Sequence, residues 1–65
     1  MPDQEAKGAT SEARRREIFL ALVEAQDQNM TVAQSRELIA GRFNIPEGEV
    51  RRIEREGLDN GWPPL

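Results

Sequence analysis

The chemistry open to this chain rests on its arginines. Arg51, Arg52 and Arg55 fall close together, and Arg14-Arg15-Arg16 form the densest basic run. A guanidinium is a planar fork of donors that matches phosphate oxygens and the O6/N7 edge of guanine. With Val50 at 0° on a helical wheel, Ile53 at about 300° and Gly57 at about 340° point inward, while Arg51, Arg55, Gly48 and Arg52 span about 100° to 200° on the outward face. Gly48 keeps that face low near its N-terminal end, where a helix laid in a DNA groove comes closest to the bases. Gly48, Arg51, Arg52 and Arg55 are therefore candidate DNA contacts, with Arg14, Arg15 and Arg16 as phosphate contacts at the groove edge. A plainer reading stands beside each. Glu47–Arg51, Glu49–Arg52 and Arg52–Glu56 are within ion-pair reach on one helix, and both arginine groups also fit solvated surface.

Other chemistries are poorly supplied. The sequence has no His, Cys or Tyr and two serines, Ser11 and Ser35. Disulfides, a zinc site of the finger type, a thiol nucleophile and an imidazole base are excluded, and we expect no enzyme, cofactor or metal. The formal charge of −3 opposes nucleic-acid binding, and no block of the chain is strongly basic, so a basic surface must arise from how side chains face. The longest apolar run, 18–23, is far short of the roughly 20 residues of a membrane span, so no membrane partner is expected. The lack of Cys fits a reducing cytoplasm.

Three helices must position the arginines: 11–28, 32–42 and 47–58, a small all-α three-helix bundle containing a helix-turn-helix. Residues 1–10 are polar, without hydrophobic period, and read as a disordered tail; 11–58 form the domain; 59–65 form a C-terminal tail packing on the core. Ser11 offers an N-cap, Thr31 with Gln34 a capping box, Asn44 a left-handed turn residue and Pro46 a helix start. Asp59-Asn60-Gly61 should break the third helix. The expected core is Ile18, Leu22, Ile39, Phe43, Ile45, Val50 and Ile53. Leu20 and Val23 fall nearly opposite Ile18 and Leu22, so the first helix is apolar on a second side. Either the tail covers that side or a second copy does, giving a homodimer through the first helix. Trp62, with Leu65 in the same Trp-Pro-Pro-Leu run, is either a lid folded onto the core or a partner-binding tail.

Residues 36–58 resemble the helix-turn-helix of region four in bacterial sigma factors. Phe43-Asn44-Ile45, then Val50-Arg51-Arg52-Ile53-Glu54 and Leu58, fall in the register of the primary sigma factors, and Pro46-Glu47-Gly48 before Val50 is similar to the Pro-Glu-Gly-Thr-Val run of the extracytoplasmic-function group. The resemblance covers about a third of the chain. Glu47 and Gly48 stand where the primary family carries an Arg-Glu pair that reads bases, so that promoter specificity does not carry over. Arg51 matches a basic contact position, Arg52 replaces a family Gln, and no region-two segment is present. The resemblance implies a small transcription regulator that binds double-stranded DNA. The alternative on the same scaffold is a protein–protein interaction module contacting the transcription machinery, with Leu20, Val23, Trp62 and Leu65 as its surface.

Overall fold

The computed structural model describes residues 11–64. The expected disordered tail over 1–10 and the interaction role given to Leu65 lie outside the described residues. Within them the fold is all-α, with α1 (Glu12–Gln26), α2 (Val32–Phe43) and α3 (Glu47–Asn60) each packed against the other two.

Local signals set most of the helix ends. The Ser11 Oγ accepts from the Arg14 N–H at 3.2 Å. Thr31 and Gln34 close a reciprocal capping box, with the Gln34 N–H donating to Thr31 Oγ1 at 3.0 Å and the Thr31 N–H to Gln34 Oε1 at 3.1 Å. Asn44 ends α2 in the left-handed conformation at φ 58°. Two ends differ from the sequence reading. The first helix stops at Gln26, and a turn through a left-handed Asn29 follows. The third runs through Asp59 and Asn60 and is closed by Gly61 at φ 62°. There the Trp62 N–H reaches the Gly57 carbonyl at 3.0 Å and the Gly61 N–H the Leu58 carbonyl at 3.4 Å, a Schellman arrangement that satisfies the last carbonyls and turns Trp62 back onto the bundle.

Ile18, Phe19, Leu22, Ile39, Val50 and Ile53 are fully or almost fully buried, joined by Trp62. Phe43 and Ile45, expected inside, are half-buried and pack on the edge of this cluster. The central aromatic is Phe19, because Gly57 on the inner face of α3 leaves room for its ring. A Cβ at Gly57 would fall 2.7 Å from Phe19 Cγ and closer still to Cδ1 and Cε1. Trp62 completes the site edge-on, with ring centroids 6.0 Å apart and planes at 79°.

Candidate nucleic-acid interface

Helix α3 presents its outward face through the same periodicity that buries Val50, Ile53 and Gly57. Gly48, Arg51, Arg52 and Arg55 are all exposed. Nothing lies within 4 Å of where a Gly48 Cβ would stand, so the N-terminal end of the stripe is open. The Arg52 and Arg55 side chains are 81% and 82% exposed and meet Glu49 and Asp59 only at 3.8 and 3.9 Å. Exposed contacts of that length contribute a few tenths of a kcal/mol at about the most, so both guanidiniums remain available to a ligand. Arg51 forms no ion pair among the described residues, including with Glu47 one turn away.

Two of the glutamates flanking this stripe, Glu54 and Glu56, are engaged from behind. Glu54 accepts from Arg36 of α2, with Nε at 3.0 Å and Nη2 at 2.9 Å from its Oε1, and its other oxygen takes Gln26 Nε2 of α1 at 3.4 Å. Gln26 also lies 3.3 Å from the Oγ of Ser35, which is fully buried and donates to the Val32 carbonyl at 2.8 Å. This polar hub ties all three helices together and fixes the rotation of α3. On the other flank Glu56 is held by Arg15 of α1 through two parallel bonds, Nε to Oε1 at 2.8 Å and Nη2 to Oε2 at 3.0 Å. Two of the carboxylates on α3 are thus balanced by cations from its neighbours, while its own arginines point outward.

The run Arg14-Arg15-Arg16 does not gather into one anion-binding surface. Arg14 pairs with Glu17 at 3.4 Å and lies 4.9 Å above the Phe43 ring. Arg15 is committed to Glu56. Arg16 pairs with Glu12 at 2.7 Å and lies 5.3 Å from the Trp62 ring. Successive helical positions diverge by about 100°, so the three neighbouring arginines turn to separate sets of partners. Arg42, which the sequence reading passed over, covers Phe43 at 5.5 Å.

Of the residues assigned to protein contact, Leu20 is 40% exposed and Val23 is half-buried against the core. Trp62, at 3% exposure, is enclosed by the fold and not presented to a partner, because its ring packs on Phe19. Both serines have structural tasks, Ser11 as a cap and Ser35 in the hub. Among the described residues no helix is long and apolar enough to cross a membrane. Comparison of the chain with protein-family models, curated proteins and solved structures finds no match.

Proposed function

We propose that the protein is a small helix-turn-helix transcription regulator that binds double-stranded DNA in the cytoplasm. In this reading α2, the turn at Asn44 and α3 form the unit, and α3 enters the major groove with Gly48, Arg51, Arg52 and Arg55 toward the DNA. The observation that carries it is the division of charge around α3. Arg15 and Arg36 are spent on Glu56 and Glu54, and the three arginines of α3 itself face solvent with weak partners or none. The resemblance of residues 36–58 to region four of sigma factors supports the same unit. Glu47 and Glu49 in the first turn repel phosphate, so affinity for random duplex should be weak, with Kd above about 10⁻⁵ M at physiological salt.

The test is fluorescence anisotropy on a random-sequence duplex pool at low salt, followed by selection of a preferred site. Arg52→Ala should weaken binding to that site by about 1–3 kcal/mol, and binding should fall steeply with salt. No binding of the wild-type chain to the pool at low salt would remove the DNA reading. A protein–protein interaction module contacting the transcription machinery would then remain. It is favoured by the net charge of −3 and by Leu58, 56% exposed in a groove it shares with Arg51 and Arg55.

A further inference from the structure

The outer face of α1 has an order of residues that the core does not require. With Leu20 at 0° on the wheel, Asp27 falls at about −20°, Ala13 at about +20°, Arg16 at about −40° and Glu24 at about +40°, one narrow stripe. All five residues are exposed. The stripe runs from a basic end at Arg16, through an apolar centre at Leu20, to an acidic end at Glu24 and Asp27. Pro63 and Pro64 flank its apolar part, forming a shallow groove with Ala13 and Leu20.

We propose that this stripe is a docking surface for a second copy of the chain, paired antiparallel about a twofold axis at Leu20. Positions equally far before and after Leu20 then come opposite each other. Arg16 faces Glu24 of the second copy, and the same pair recurs on the other side of the axis. Leu20 meets Leu20 at the centre. Asp27 arrives beside Ala13, at the N-terminal end of the other α1, where a carboxylate is favoured by the helix dipole. A parallel pair would set Arg16 on Arg16 and Glu24 on Glu24, so the stripe selects one orientation. Arg16 can serve both roles, since Glu12 takes two of its N–H groups and a guanidinium has five. Glu24 has no ion pair or hydrogen bond within the described fold and is open to a partner.

The contact is small, so association should appear at roughly 0.1–1 mM, in the range of weak encounters. Sedimentation equilibrium should show the mass rising from 7.4 kDa toward twice that value across this range, and less so in high salt. Leu20→Glu should stay monomeric. Arg16→Glu and Glu24→Arg should each lose association by about tenfold or more, because each turns both symmetry-related pairs repulsive. An equimolar mixture of these two variants should associate again, since each then offers the charge the other needs. A wild-type chain that stays at 7.4 kDa at the highest concentration would overturn the proposal. So would association that survives Glu24→Arg, or a mixture no better than its folded components. If circular dichroism shows that Arg16→Glu has lost its helices, Leu20→Glu and Glu24→Arg decide the matter, because neither side chain holds the fold together.

Discussion

Gly57→Ala is the most discriminating single change in the core. On an ordinary helix Ala is favoured over Gly by about 0.8–1.0 kcal/mol. At Gly57 the new methyl would enter the body of the Phe19 ring, 2.7 Å from Cγ. The ring is fully buried and packed edge-on against Trp62, so it has no open space to move into. Overpacking of a closed site costs about 1–3 kcal/mol, and intrusion on an aromatic ring belongs at the upper end. The net loss is therefore about 2 kcal/mol, a large share of the 3–5 kcal/mol a core of this size supplies. At an m-value of about 1 kcal/mol/M the urea midpoint should fall by about 2 M. Far-UV circular dichroism reports the helices, and fluorescence of Trp62, the only tryptophan, reports the site itself. Gly41→Ala is the control. It lies within α2 with nothing within 4 Å of its would-be Cβ, and should stabilise by about 0.5–1 kcal/mol. If Gly57→Ala also stabilised, Phe19 would not be lodged on Gly57 and the arrangement of this core would be wrong.

Three further outcomes follow from the same geometry. Phe19→Ala should lose about 3–5 kcal/mol and leave the chain largely unfolded, whereas half-buried Phe43→Ala should lose about 1–2 kcal/mol; urea melts separate the two. Glu54→Gln should cost about 1–2 kcal/mol in the same melts, because Arg36 loses its carboxylate partner at a site where the Glu54 side chain is only 17% exposed. Glu47→Gln should cost about 0.3–1 kcal/mol in the same melts, because its carboxylate lies in the first turn of α3, and raise affinity for random duplex roughly two- to threefold, read by anisotropy at low salt, since it removes an unpaired charge that repels phosphate.

What was legible in the sequence was local. The caps at Ser11, Thr31–Gln34 and Asn44 involve groups within four residues of each other, and the helical period alone puts Gly48, Arg51, Arg52 and Arg55 opposite Val50 and Ile53. What was not legible depends on partners distant in the chain. Arg15 and Glu56 are 41 positions apart, and Arg36 and Glu54 are 18 apart. A wheel finds only neighbours three and four residues away, so it places Glu56 within reach of Arg52 and leaves Arg15 as either solvated surface or a phosphate contact. The choice of Phe19 over Phe43 as central aromatic likewise rests on Gly57 in another helix. Gly57 on the inner face was the one available signal, since a glycine among inward residues marks a close approach. The end of α3 was misplaced because Asp59 and Asn60 are weak helix formers, and their preference is overridden by Gly61 and the docking of Trp62.

The two proposals meet in the salt dependence of DNA binding. A single chain presents three outward arginines, and each phosphate neutralised releases about 0.9 counterion. If all three reach phosphates or the groove beside them, log K should fall with log salt at a slope of about −3. Glu47 and Glu49 shallow that slope where they face the backbone. If two chains paired through α1 bind together, six arginines are offered and the slope should approach about −5. The slope therefore separates one bound chain from two. Leu20→Glu makes the comparison clean, because Leu20 lies on α1, outside the α3 face. A slope of about −5 that drops to about −3 in Leu20→Glu would be the signature of two chains on one duplex. A slope of about −3 in both, with wild-type association intact in sedimentation, would show pairing that does not serve DNA. A slope near zero in both would mean that the arginines of α3 do not meet phosphate, and DNA would cease to be the ligand they are proposed to serve.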